Sequence, residues 1–333
     1  MTRITRRTAL RASAATAVAL GMPFIRRAHA QAVTLRFGHY GATQDSATAA
    51  AERFKEVVEE RSGGEIEISL HPAHELGNDP ALLQGVRLGT IDIAMTGNPY
   101  FTAFAPEMNV LDLPFLFHSS EHVYGVFDGE IGRQVLDGMA RHQLQGLALW
   151  EIGFRNLTNS VRPIREPADL QGLKIRTTPN PAHVRAFELL GAVPTPMPFG
   201  EVYLALQTGA VDGQENPVNH IYANRLYEVQ DHLSLTRHAF TASPMAMNKA
   251  KYDSLDADMQ QLLLDAALEG ARFERTLNEE REAGSLQAMK DAGMQVVEDP
   301  DVEAFQAIVA DETWAMYADE HGSELIDAIE AAG

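Results

Sequence analysis

Hydrophobic and polar positions recur with two different periods along this 333-residue chain. Val33, Leu35 and Phe37 alternate with Thr34 and Arg36, the two-residue period of a half-buried strand. From Asp45 to Arg61 the apolar positions Ala49, Phe54, Val57 and Val58 return at helical spacing, and Ser62-Gly63-Gly64 stops the run. Ile66, Ile68 and Leu70 mark a second strand. Asp79 to Leu88 reads as a helix closed by Gly89, and Ile91 to Met95 as a third strand. This order predicts a largely parallel sheet with helices on both faces, which binds ligands at the carboxyl ends of its strands. Tyr40, Asp79, Asn98 and Tyr100 follow these elements, so they are candidates for the mouth of a site.

A second unit with the same rhythm begins near Gly153. Lys174-Ile175-Arg176 is a short strand, Pro181 to Leu190 a helix closed by Gly191, and Glu201 to Thr208 another ended by Gly209. A further strand starts at Ala210 to Gly213, and Met245 and Met247 alternate as in a buried strand. Asp256 to about Asp291 is one long charged amphipathic stretch with a possible break near Gly284. Its length suits a helix spanning both units, and Ala304 to Ala332 closes the chain with one or two more.

The first thirty residues follow neither period. Arg6-Arg7 precedes an apolar run from Ala12 to Ile25, and Ala28-His29-Ala30 has the small-x-small form of a cleavage site. The paired arginines point to a twin-arginine export signal, although Ala9 stands where such signals usually carry Phe. The run is too short and too rich in alanine to span a bilayer. Export places the remainder in the periplasm.

Charge narrows the partners. The chain holds 27 basic and 46 acidic side chains, and six of the arginines lie before residue 31, where there is no acid. So acidic a chain is a poor match for nucleic acid or an anionic membrane surface. It contains no cysteine, so stability rests on a core that about 300 residues can bury, usually as two domains.

The candidate chemistry lies between residues 155 and 216. Arg155 and Arg176 supply guanidinium groups, Asn216 an amide and Phe199 an aromatic wall. Arginine offers paired donors that match two carboxylate oxygens, and asparagine both donates and accepts. An apolar ring excludes water and strengthens the ionic contact. Glu215 and Asp212 read as structural acids. Trp150 and Glu151, just before Gly153, are further candidates for the cleft. No nucleophile elbow, dinucleotide turn or P-loop occurs, and His71, His74 and Glu75 fit no standard zinc spacing. The reading calls for no cofactor and no catalytic residue.

Several motifs carry a resemblance over the whole segment after residue 30. They are Phe37-Gly38, Glu75-Leu76-Gly77, Gly153-Phe154-Arg155, Gly172-Leu173-Lys174-Ile175-Arg176 and Pro194-Thr195-Pro196-Met197. The most specific is the run from Glu201-Val202-Tyr203-Leu204-Ala205-Leu206-Gln207-Thr208 to Val211-Asp212-Gly213-Gln214-Glu215-Asn216-Pro217. The chain resembles the solute-binding receptors of tripartite ATP-independent periplasmic (TRAP) transporters, of the DctP type.

The resemblance implies an α/β, periplasmic binding protein-like fold: two α/β domains joined by crossing strands, a ligand cleft between them and a long domain-spanning helix. The first domain would comprise 31–152 plus about 243–282, the second 153–242 plus about 283–333. The resemblance also implies that Arg176 is the carboxylate clamp and that Arg155, Asn216 and Phe199 are its companions. Partners would be a small organic acid anion and the membrane permease, the receptor being mostly monomeric. Sialic-acid-type relatives carry charged side chains where this chain has Gly97 and Tyr100, which favours a smaller acid. Two other functions stay open: a secreted enzyme acting on an organic acid, with Glu215 as its only tempting base, and a receptor serving a signalling protein.

Overall fold

The computed structural model describes residues 32–333, so the predicted export signal lies outside the described residues. The first half of the described chain contains β1 (Val33–His39), α1 (Ser46–Arg61), β2 (Ile66–His71), α2 (Asp79–Leu88), β3 (Ile93–Met95), α3 (Ser120–Asp128), α4 (Glu130–Gly138) and β4 (Leu144–Asn159). There follow β5 (Lys174–Thr177), α5 (Pro181–Leu189), β6 (Val193–Pro196), α6 (Val202–Gln207), β7 (Gly213–Pro217), α7 (Val218–Ala223), β8 (His232–Ser234) and β9 (Phe240–Asn248). The chain closes with α8 (Lys249–Asp253), α9 (Ala257–Asp291), β10 (Gln295–Val297), α10 (Val302–His321) and α11 (Glu324–Glu330).

The strands form one ten-stranded sheet with the main order β2-β1-β3-β9-β4-β7-β5-β6. The expectation of a largely parallel sheet holds at both ends and in the short β8–β10 pair. β1 pairs parallel with β2 and β3, and β5 with β6 and β7. In the middle β9 pairs antiparallel with β3 and with β4, and β4 antiparallel with β7. The long β4 therefore joins the two halves of the sheet, pairing with β9 over Leu144 to Phe154 and with β7 over Arg155 to Asn159. Its register against β9 shifts between Glu151 and Gly153. Gly153 takes φ +119°, and a Cβ there would sit 3.3 Å from the Pro217 side chain. Glycine is what lets the strand bend here.

The helix starts follow side-chain chemistry. Asp45 caps α1 by accepting from the Ala47 N–H at 3.1 Å, and Asn78 caps α2 through the Ala81 N–H at 3.2 Å. The long helix α9 runs unbroken for 35 residues through Gly284, so the break considered there does not occur. It joins two cores. Leu263, Ala266, Ala267 and Ala271 pack with Trp150, Met245 and α1, while Met289 packs with Val202, Ile221 and Leu233. Gly270 sets how near it comes: a Cβ there would lie 2.5 Å from the Trp150 ring. Trp150 is fully buried and donates its indole N–H to the Ala267 carbonyl at 2.8 Å.

Candidate functional site

The carboxyl ends of β1, β3, β5 and β7 converge on a cavity, with about 330 Å³ of space between its side chains, part of it open to solvent. β5 carries Arg176 into it. Residue 176 pairs with Thr195 on one side and Gln214 on the other, so its backbone is fixed by two parallel neighbours. Arg176 is 1% exposed. Its Nη2 donates to the Tyr100 hydroxyl at 2.9 Å and to the Met197 carbonyl at 2.7 Å, and its Nε to Met197 at 3.2 Å. The Pro196-Met197-Pro198 segment presents that carbonyl. Among the described residues no carboxylate pairs with Arg176.

Arg155 is also buried and lines the same cavity, but its charge is already met. Its Nε bonds Glu215 Oε2, its Nη2 Glu215 Oε1 at 2.9 Å and the Glu215 carbonyl at 2.5 Å, and its Nη1 the Thr241 hydroxyl at 2.9 Å. Burial alone would push the Glu215 carboxyl up; the Arg155 charge, with hydrogen bonds from His238 and Arg155, outweighs it and holds the group well below the usual carboxylate range. Glu215 and Asp212 are structural acids as read: Asp212 Oδ2 accepts from the Lys174 N–H at 2.8 Å.

Asn216, Phe199, Tyr40, Asp79 and Tyr100 all line the cavity. Asn216 accepts from Arg155 at 3.2 Å and donates to Gln214 Oε1 at 2.5 Å. The Phe199 ring centroid lies 6.0 Å from Arg176 Cζ. Asp79 is buried; its Oδ1 meets His74 Nε2 at 3.0 Å and the Thr96 hydroxyl, while Oδ2 has no partner among the described residues. Burial favours the neutral acid, yet His74 and Thr96 hold the Asp79 carboxyl below its ordinary range. Burial pushes the Tyr100 phenol up to about 12 against the pull of Arg176, so its hydroxyl stays protonated.

Three expected residues lie elsewhere. Asn98 turns away to donate to the Met108 carbonyl at 2.8 Å and Asp112 Oδ2 at 2.7 Å, because the short 3-10 turn it opens points inward. Trp150 belongs to the core beneath α9. The Glu151 side chain accepts from Asn278 at 2.8 Å, and burial raises its carboxyl. Gly97, Pro99, Ile152, Thr178, His220 and Thr241 complete the lining, none of them named as a ligand contact. Of these, Gly97 and Pro99 had a sequence signal, since the segment from Gly97 to Tyr100 follows the third strand.

A cavity whose Arg176 meets no carboxylate among the described residues, and whose walls are aromatic, suits capture of an organic anion, and comparison with known proteins agrees. Residues 37–320 match the model of the bacterial extracellular solute-binding proteins, family 7. The chain belongs to that family. It is a TRAP-type solute-binding receptor that works outside the cytoplasm, and its α/β architecture is the one such receptors share. It is 40% identical to the 2,3-diketo-L-gulonate-binding periplasmic protein YiaO of Escherichia coli, over 90% of this chain and 92% of that one. It is 32% identical to the C4-dicarboxylate-binding periplasmic protein DctP of Rhodobacter capsulatus, over 97% of both chains. Among solved structures, a TRAP periplasmic solute binding protein from Polaromonas bound to D-erythronate superposes with TM-score 0.87. That alignment has 36% identity and covers 90% of this chain and 98% of the other.

Proposed function

We propose that this receptor captures a hydroxylated monocarboxylate, of the sugar-acid kind, and delivers it to a membrane permease. The observation that carries the reading is the difference between the two arginines. Arg155 is neutralised by Glu215, whereas Arg176 has, among the described residues, only two neutral hydrogen-bond partners, Tyr100 and the Met197 carbonyl. A buried cation left without a counter-ion is costly, and a ligand carboxylate relieves that cost. One cation left free among the described residues of the cavity calls for one carboxylate. The ionised Asp79 disfavours a second one and offers its unpartnered Oδ2 to a ligand hydroxyl. The 2,3-diketo-L-gulonate and D-erythronate named for two relatives are such acids; the dicarboxylates named for the third are not.

Capture proceeds by closure. The two domains, 31–152 with about 243–282 and 153–242 with about 283–333, hinge where β4 bends at Gly153 and along α9. Ligand preference for the closed form shifts the population. The receptor acts as a monomer, and the closed form is what the permease receives. Binding rather than chemistry is favoured because Glu215, the one base an enzyme reading had, is locked as an ion by Arg155. Titration calorimetry against D-erythronate, 2,3-diketo-L-gulonate and succinate tests the proposal, with product analysis on the same samples. We expect the first two to bind at least about tenfold more tightly than succinate, without turnover. Tighter binding of succinate would refute the single-carboxylate reading, and product formation would refute the receptor reading.

A further inference from the structure

His220, on α7, forms part of the cavity wall and had no role in the site as read from sequence. Its ring is 5% exposed and packs 4.5 Å from the Phe199 ring and edge-on to Tyr40 at 5.6 Å. Nδ1 lies 3.2 Å from Asp45 Oδ2, and also 3.2 Å from the Asn224 amide nitrogen. Asp45 is the cap of α1, so this one contact ties the start of α1 to α7. The Asp45 carboxyl would be raised by burial, but His220 and the Ala47 N–H hold it below its ordinary range. As an ionised acceptor it requires the hydrogen on Nδ1. In the neutral ring Nε2 is then an acceptor, and it has no partner among the described residues.

The surroundings make this ring a junction. Ser46 Oγ donates to Asn278 Oδ1 at 2.6 Å, the Asn219 amide to the Asn278 carbonyl at 2.9 Å, and Ser285 Oγ to Asn219 Oδ1 at 2.8 Å. The start of α1, the turns of α7 and the middle of α9 are thereby joined beside His220. On the cavity side the ring shares Phe199 as a neighbour with Arg176. Phe199 thus bridges Arg176 and His220, so an acid held at Arg176 can run its carbon chain along that ring and bring its hydroxyls to His220.

We propose that His220 is a specificity-determining residue that reads a ligand hydroxyl through Nε2 while its Nδ1–H holds Asp45, so that hydroxyl recognition and the α1–α7 contact are made by one ring. This rests on the reading that Arg176 holds the carboxylate. Two substitutions separate the two ends of the ring. His220→Asn keeps an amide near Nδ1 for Asp45 but does not reach the ligand. His220→Gln reaches the ligand but releases Asp45.

The test is calorimetry of the purified protein with D-erythronate and with 2-hydroxybutanoate, which lacks the distal hydroxyls. His220→Asn is expected to weaken D-erythronate about tenfold, the scale of one lost hydrogen bond, and to leave 2-hydroxybutanoate within about twofold. His220→Gln is expected to keep the preference for D-erythronate but to widen the distance distribution between spin labels on α1 and α7. Equal weakening of both acids by both variants would reveal a purely structural ring and overturn the proposal. An unchanged preference in His220→Asn would overturn it too, as would a wild type that binds neither acid or prefers 2-hydroxybutanoate. The carboxylate reading fails separately, if Arg176→Met retains affinity for every acid tested.

Discussion

Arg176→Met distinguishes a ligand clamp from a structural cation, because the two roles predict opposite signs for the empty protein. Arg176 is 1% exposed, and among the described residues its only hydrogen bonds are to Tyr100 and Met197. With a carboxylate bound, the guanidinium makes two charge-assisted hydrogen bonds at about 1.5–3 kcal/mol each. Methionine fills similar space and makes neither, so binding weakens by about 3–6 kcal/mol, or two to four powers of ten in Kd. In the empty protein the substitution removes a buried charge whose desolvation costs several kcal/mol. It also leaves the Met197 carbonyl without its donor, a loss of about 1–3 kcal/mol. The ligand-free variant should therefore melt at or above the wild-type temperature while losing the ligand-induced shift. Lysine at 176 should recover part of the affinity, since it restores charge without the planar fork. Calorimetry and thermal melts, each with and without D-erythronate, read both quantities. A variant that binds within tenfold of wild type, or an empty form destabilised by more than about 3 kcal/mol, would refute the reasoning.

Three further outcomes follow from the same structure. Asp79→Asn removes the negative charge beside the cavity, so succinate should bind about tenfold more tightly while hydroxylated monocarboxylates lose affinity, a reversal that calorimetry reads directly. Glu274 is fully buried with Oε1 unpartnered among the described residues, and burial, then Glu151, raises its carboxyl well above the ordinary range. A raised carboxyl costs stability as pH climbs past the unfolded value near about 4.3, because the unfolded chain ionises first. Glu274→Gln mimics the protonated form, so it should raise the melting temperature at pH 7 and flatten the decline between pH 4 and 7; an unchanged pH profile would show that Glu274 is not held protonated. Gly270→Ala should destabilise by about 1–3 kcal/mol, since the 2.5 Å approach to Trp150 outweighs the roughly 1 kcal/mol that alanine gains in a helix; a stabilised variant would mean that α9 shifts without cost.

The elements that were legible in the sequence are those with one wet face. β1, α1, β2 and α2 alternate between core and solvent, and their limits fall within a residue or two of the periodic runs. β4 was not legible because nearly every residue from Gly146 to Asn159 is buried, which erases alternation. Its role, and that of β9, is to run antiparallel through the centre of the sheet, so the parallel pattern inferred from strand–helix order stops at the ends. β6 carries Pro194 and Pro196, residues that argue against a strand; they are tolerated because β6 is the edge.

The site divides along the same line between local and distant cause. Arg176, Arg155, Asn216 and Phe199 stand in motifs whose backbone fixes their direction: two flanking strands for Arg176, and β4 against β7 for Arg155 and Asn216. Asn98 was placed at the mouth by its position after a strand, and Trp150 and Glu151 in the cleft by standing just before Gly153, but their side chains are claimed by Asp112, Ala267 and Asn278, groups 14, 117 and 127 positions away. No pattern around residue 98 or 150 announces those partners. Nor does any announce that Glu215 satisfies Arg155 and spares Arg176; both motifs hold an arginine, and only the paired strands decide which one Glu215 reaches. The sequence thus identifies the cations, and the tertiary pairing determines which of them is left for a ligand. On the single-carboxylate proposal ligand charge follows from where Glu215 lies, so Glu215→Gln, which leaves Arg155 without its counter-ion, should tighten succinate binding by calorimetry, and an unchanged affinity would separate ligand charge from that pairing.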